Sequence, residues 1–288
     1  MVELMGESIS SRIRRSNWIL LAGLALSVLA VGWLIQSRAE AIPAGKPAKV
    51  SWVPSEIDET VIAGTHSTVE ARFVVDQSVV GVGIEVVPEL TLVVSVQPSV
   101  MSDLIPGVEN EVFLSFQPNP RMDPTRLDGT VLVRVDANEL LARPLPVKVD
   151  VVWPTFESLD ASLIVSYPAY LDVVESGVGD PAGSVGFLDP QTKVGFSIDT
   201  DVLPPGIGTV EAWADSQRWP FPDDWRNHYE VVSLGDRDAL HATESDVMIF
   251  LGCDRVHYVT NGVGREDRPM LDNTTFGLVL ESVDTPCD

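Results

Sequence analysis

The feature that most constrains this chain is an alternation of apolar and polar residues along a valine-rich stretch, residues 50–152. The alternation is clearest at residues 68–75 and 130–135. Because successive side chains of a strand point to opposite faces, this period predicts strands with one buried face. Turn-forming pairs such as Pro106-Gly107 and Asp128-Gly129 interrupt the stretch. About seven such strands over about 100 residues predict an antiparallel β-sandwich.

The order of segments in this stretch resembles the immunoglobulin-like modules of prokaryotic surface proteins. The resemblance is carried by Ile62-Ala63-Gly64-Thr65, Val86-Val87-Pro88-Glu89-Leu90, Leu104-Ile105-Pro106-Gly107, Asp128-Gly129-Thr130-Val131 and Leu145-Pro146-Val147-Lys148-Val149. The cysteine pair of antibody-type domains is absent from this stretch. The resemblance implies a spacer, adhesive or docking unit, and not a catalytic one.

The amino-terminal region contains an uninterrupted apolar run, residues 18–35, without any charge. At about 1.5 Å per residue, a helix of this length just spans a hydrocarbon core. Arg12, Arg14 and Arg15 precede the run and Arg38 follows it, so the positive-inside rule predicts a cytoplasmic amino terminus. We therefore predict a cytoplasmic tail over 1–16, a transmembrane helix or signal anchor over 17–37 and a linker over 38–49.

The predicted membrane-anchor residues in this span are Trp18, Gly23, Ser27, Trp33 and Ile35. The alternative is a cleavable signal peptide, because Ala39-Glu40-Ala41 has the small-x-small form of a cleavage site. Both interpretations export the remainder of the chain. The predicted location is the cell membrane, with a single span and the carboxyl-terminal part outside the cytoplasm.

The charge of the chain excludes one class of partner. The formal net charge is −23 at pH 7. Such a field repels nucleic acid and anionic lipid headgroups, so the exported part is not expected to bind either directly. Other membrane or surface proteins remain as expected partners.

A second part is predicted over residues 153–288, because Trp153-Pro154 marks a change in composition. The expected class is α+β, with an antiparallel sheet, an amphipathic helix within 209–219 and a terminal helix over 270–283. Asp272 or Asn273 is expected near the start of the terminal helix.

This second part resembles the PsbP/Mog1-type fold, an antiparallel sheet flanked by helices. The resemblance is carried by Leu163-Ile164-Val165-Ser166-Tyr167-Pro168, Val185-Gly186-Phe187-Leu188-Asp189-Pro190, the stretch 230–239 and the closing stretch 276–283. The usual tryptophan after Tyr-Pro is replaced by Tyr170-Leu171. The resemblance implies a non-catalytic accessory subunit or binding module beside a membrane complex.

Two cysteines, Cys253 and Cys287, lie in the part predicted to be exported. In an oxidising compartment they are expected to form a disulfide closing a loop of about 33 residues. They lack the close cysteine pair of structural zinc sites.

The most distinctive stretch in the second part is an aromatic cluster: Trp213, Trp219, Phe221, Trp225 and Tyr229. Aromatic side chains dominate both cores and interfaces, so the cluster is either a satellite core or an exposed docking surface. We favour the satellite core and retain the five residues as a candidate docking surface.

No catalytic, cofactor or metal motif emerges from the sequence. The histidines lack the spacing of paired metal ligands. A looser calcium site built from Asp199, Asp201, Asp223 and Asp224 is an alternative. We therefore expect a non-catalytic interaction or accessory subunit of a membrane or cell-surface complex. The alternative is an exported enzyme or a ligand- or calcium-binding protein that uses the acidic second part.

Overall fold

The computed structural model describes residues 48–135, 139–141, 143–158, 163–176, 183–217, 224–242, 245–262 and 269–286. Within these residues the chain consists mostly of β-strands. The strands are β1 Val50–Val53, β2 Ile57–Ile62, β3 Ser67–Val75, β4 Val79–Val86, β5 Val94–Gln97, β6 Val100–Leu104, β7 Asn110–Phe116, β8 Thr125–Val135, β9 Glu139–Leu140, β10 Leu145–Val152, β11 Thr155–Glu157, β12 Ile164–Ser166, β13 Asp172–Ser176, β14 Ser184–Leu188, β15 Gly195–Val202, β16 Tyr229–Leu234, β17 Arg237–Ala242, β18 Val247–Gly252 and β19 Arg255–Asn261. The α-helices of the described residues are α1 Val210–Ser216 and α2 Asn273–Ser282, and short 3-10 turns lie at Pro88–Leu90 and Trp225–Asn227.

Strands β1 to β10 form the predicted β-sandwich. One sheet has the order β1-β3-β7-β5 and the other the order β2-β10-β8-β4-β6, with β9 beside β8. All pairs are antiparallel except β2 with β10, which run parallel. Alternate side chains from both sheets, among them Phe73, Leu114, Phe116 and Val133, are buried in the core, as the period-two pattern requires.

The second part is built on a seven-stranded antiparallel sheet with the order β13-β14-β15-β19-β18-β17-β16. Strands β11 and β12 form a separate two-stranded ribbon. The predicted helices are present but short. Thr209 caps α1 by accepting a hydrogen bond from the amide of Ala212, and Asp272 caps α2 through the amides of Thr274 and Thr275.

The predicted fold class is wrong for the second part. The second part is mostly β-structure and not α+β, because residues in strands far outnumber residues in helices among those described there. In the described ranges, moreover, no helix is long and apolar enough to cross a membrane. The predicted span 17–37, with its anchor and topology residues, lies outside the described residues.

A buried carboxylate joins the sandwich to the second part. Asp189, 2% exposed, accepts a hydrogen bond from Arg121 Nη2 at 2.8 Å, and the Arg121 guanidinium lies 4.4 Å from the centre of the Tyr170 ring. Asp189 also accepts from the Gln191 amide and from Thr192 Oγ1, both at 2.8 Å. These bonds, led by the Gln191 amide, hold the pKa of Asp189 far below its usual range. The carboxylate therefore stays charged and fixes the join.

The backbone at this join is also close-packed. A Cβ placed on Gly64, whose φ is +76°, would lie 3.0 Å from the Cβ of Pro120 and 3.6 Å from that of Ala169. The indole Nε1 of Trp153 donates to the carbonyl of Met122 at 3.1 Å. Lys49–Asp288 accordingly forms one compact unit.

The last described residues return to the first strands of the second part. Ile164 and Asp284 form an antiparallel bridge, and Ser282 Oγ accepts a hydrogen bond from the amide of Ser166 at 3.0 Å. Arg237 holds the same segment by donating to Thr285 Oγ1 at 3.0 Å and to the carbonyl of Val283 at 3.3 Å. The carboxyl-terminal segment is thus part of the fold.

Candidate docking surface

Helix α1 covers one half of one face of the seven-stranded sheet. Val210, Trp213 and Ala214 occur at i, i+3 and i+4, which places an apolar stripe on one side of the helix. The stripe lies over β17 and β18. The buried cluster beneath consists of Val210, Trp213, Ala214, Trp225, Leu240, Ile249 and Val256.

The predicted aromatic docking surface is therefore corrected at two positions. Trp213 and Trp225 are 2% and 3% exposed and belong to the core under α1. Tyr229 is partly buried against the same cluster. Trp219 and Phe221 lie outside the described residues. The satellite-core interpretation holds for the two tryptophans because amphipathic α1 must bury its apolar stripe.

Polar groups above this core hold α1 to the 3-10 turn at Trp225–Asn227. The indole Nε1 of Trp225 donates to Asp215 Oδ1 at 2.9 Å. Arg226 donates to both oxygens of Asp215, at 2.9 and 3.0 Å, and its guanidinium lies 4.3 Å from the centre of the Trp225 indole. The bonds from Arg226 and then Trp225 lower the pKa of Asp215. Asp215 thus stays ionised and ties both ends of the intervening segment together.

The other half of the same face is more exposed. Its side chains come from β13, β14, β15 and β19, and the strand registers place them together. We call this surface the open half-face, and it consists of Val174, Ser184, Gly186, Ser197, Asp199, Asp201, Tyr258 and Thr260. Val174 is 53% exposed, and Asp199 and Asp201 are exposed.

Tyr258 stands at the boundary between the covered and the open half. It lies directly opposite Asp199 on one side and Ile249 on the other, and its ring meets that of Trp213 edge-on at 5.8 Å. Burial, followed by the charges of Asp201 and Asp199, raises the pKa of Tyr258 to about 12. The phenol therefore keeps its proton and remains a hydrogen-bond donor beside two carboxylates.

The remaining predicted chemistry is dispersed. His257 is buried on the opposite face of the sheet, with Nδ1 3.1 Å from Thr200 Oγ1 and its ring stacked on Phe250. His228 Nε2 lies 3.8 Å from Asp224 Oδ1, far along the chain from Asp199 and Asp201. Asp223 lies outside the described residues. Across the described ranges, no three His, Cys, Asp or Glu side chains are grouped in a way that could hold a metal ion.

Cys253 is disulfide-bonded. It occupies the turn between β18 and β19, with a φ of +55°. Its predicted partner Cys287, the only other cysteine of the chain, lies outside the described residues.

The sequence interpretation used Asp199 and Asp201 only as calcium candidates and overlooked the rest of the open half-face. The missed signal is the alternation in Gly195–Val202, where Phe196 and Ile198 point to the core while Ser197, Asp199 and Asp201 point away. Small and polar residues on one face of adjacent strands indicate that nothing large and apolar covers that face.

Comparisons with known proteins show no family. No family model matches the chain, and no curated protein matches its sequence. Among solved structures, a Niemann-Pick type C2 protein from Japanese carpenter ant is 15% identical, with a TM-score of 0.25, covering 36% of this chain and 94% of its own. A protein of unknown function from Porphyromonas gingivalis W83 is 13% identical, with a TM-score of 0.29, covering 75% and 83%. The YadV chaperone is 12% identical, with a TM-score of 0.25, covering 77% and 89%. Similarities this low carry no argument about function.

Proposed function

We propose that this protein is an exported, non-catalytic interaction protein that serves as an accessory subunit of a membrane or cell-surface complex. The sandwich acts as a spacer of the immunoglobulin-like kind, and the second part, for which the sequence suggests a PsbP/Mog1-like module, contacts the partner. The observation that carries the proposal is the open half-face. Val174 and two aspartates are exposed on this half of the seven-stranded sheet, which offers a surface for another molecule.

The join to the sandwich supports a presenting role. A contact surface is useful in a complex when its support is stiff, since ordering a mobile support on binding costs affinity. Here Asp189, Arg121 and Tyr170 bind the two parts together. The sheet is therefore held at a set orientation on its spacer.

The disulfide supports export. Disulfides persist in oxidising compartments outside the cytoplasm and are rare within it. Cys253 is disulfide-bonded. The apolar run at residues 18–35 and its basic flank predict the same route.

The proposal is tested by purifying the tagged full-length protein from gently solubilised membranes of its host and quantifying co-purifying proteins by mass spectrometry. A membrane or surface protein in stoichiometric amount is expected with the wild type. Ser197→Tyr adds bulk to the open half-face and is expected to lose that protein. Thr68→Tyr adds similar bulk to an exposed strand position of the sandwich and is expected to keep it.

Two controls make the result decisive. Circular dichroism shows whether each variant is folded, and digestion of intact cells with an external protease shows whether the protein lies outside the cytoplasm. A wild type that recovers no stoichiometric partner, or a chain protected in intact cells, would overturn the proposal.

A further inference from the structure

We propose that the open half-face binds an extended, cationic segment of a partner protein, in which Lys or Arg residues alternate with other residues. The inference rests on the proposed function and specifies the chemistry of the partner.

The charge of the open half-face favours a cationic partner. Asp199 and Asp201 are exposed on adjacent outward positions of β15, and none of the described positions of the open half-face holds Lys or Arg. The chain as a whole carries a formal charge of −23. Such a field draws cationic partners toward the protein and repels anionic ones, and the two carboxylates then select the site of contact.

The spacing of the two aspartates matches the side-chain repeat of an extended chain. Asp199 and Asp201 are two residues apart on one strand, so their Cα atoms are about 6.6 Å apart at a rise of about 3.3 Å per residue. Alternate side chains of an extended partner segment have the same repeat. A segment lying along β15 with basic residues at i and i+2 would therefore meet both carboxylates at once, and Arg would do so with paired hydrogen bonds.

The surface beside the two aspartates is formed by small side chains. Ser197 lies opposite Gly186, which itself lies opposite the exposed Val174. These small side chains leave room for the backbone and the intervening residues of a partner segment. Tyr258, opposite Asp199, closes the other side and provides a phenol donor for a partner carbonyl. The surface therefore suits an extended chain better than a bulky helix.

The test uses the folded full-length protein and two fluorescein-labelled peptides of equal composition. One peptide contains four Arg-Thr repeats, and the other contains two Arg-Arg-Thr-Thr repeats, in which no two arginines are two residues apart. Fluorescence anisotropy gives the dissociation constant of each. We expect the alternating peptide to bind several-fold more tightly, because only it places arginines at the repeat of the two aspartates.

The variant pair isolates the site from the general field. Asp199→Asn with Asp201→Asn is expected to weaken binding of the alternating peptide by about tenfold, the loss of two partly exposed ion pairs. Asp236→Asn with Asp238→Asn removes the same charge from exposed positions on the β16–β17 hairpin and is expected to change binding less than about twofold.

Equal weakening by the two variant pairs, or equal affinity for the two peptides, would overturn this inference by showing a diffuse charge effect. That failure would not affect the partner recovered by co-purification, which tests the proposed function separately. Conversely, site-dependent peptide binding with no co-purified partner would count against the proposed function alone.

Discussion

Replacing Trp225 by alanine should unfold the second part more readily and should not act as a selective binding mutation. The indole is 3% exposed, packs in the cluster under α1 and donates to Asp215. Removing a buried tryptophan typically costs about 3 to 5 kcal/mol, because apolar burial is lost and a cavity remains. Asp215 retains both bonds from Arg226, so its loss of one donor adds little.

A cost of about 4 kcal/mol corresponds to a fall in the urea midpoint of about 1.3 M if the slope is about 3 kcal/mol/M, and to a fall in Tm of about 8 to 16 °C. Circular dichroism and tryptophan fluorescence measure the midpoint in a urea series and the Tm in a temperature scan. Leu92→Ala is the matched control, since Leu92 is 71% exposed and its loss should change stability by less than about 0.5 kcal/mol. A Trp225→Ala variant destabilised by less than about 1 kcal/mol would refute the burial argument and restore Trp225 as a surface residue.

Three further predictions follow from the electrostatics and the disulfide. Asp189→Asn should lower the urea midpoint. Because the folded-state pKa of Asp189 is depressed, the wild type should lose the stability that this carboxylate contributes as pH falls below about 4, and the two proteins should then become equally stable in acid. A difference in urea midpoint that stays constant across that range would contradict the assignment. The pKa of Tyr258 is raised, so the stability that its neutral phenol contributes should be lost as pH rises from about 10 through 12. Tyr258→Phe should make the urea midpoint fall less over this pH range and should remove the last-ionising component of tyrosine absorbance. An unchanged dependence of the urea midpoint on pH would contradict this prediction. Cys253→Ser should destabilise the protein by about 3 kcal/mol under non-reducing conditions and should make stability insensitive to reductant, whereas continued sensitivity would contradict it.

The sandwich could be predicted from the sequence, because the alternation of buried and exposed residues along each strand is a local pattern. Period-two burial is visible in Ser67–Val75 and Leu145–Val152, where buried residues alternate with more exposed ones. The parallel pairing of β2 with β10 was not predictable in the same way, because both strands lie far apart in sequence and their own patterns do not specify a direction.

The aromatic cluster shows why composition alone could not locate the candidate site. Tryptophans such as Trp213 and Trp225 are common both in cores and in interfaces. Only the position of α1 over β17 and β18 shows that these two belong to the core. Helix caps, in contrast, depend on neighbouring residues: the sequence offers Asp272 or Asn273 near the start of α2, and Asp272 is the cap.

The bridge between Ile164 and Asp284 sets the order in which the second part can fold. Ser166 and Ser282, which hydrogen-bond beside it, are 116 residues apart in the chain. Contacts of such long range close large loops and form late, because closing the loop reduces the conformational entropy of the chain before the contact stabilises the fold. During synthesis β12 can therefore pair with β11 early, whereas its bridge to Asp284 forms only after the segment at residues 282–284 has emerged. This delay suits the export that we propose, because a chain crossing a membrane in an extended state would close this bridge only after residues 282–284 have arrived on the same side.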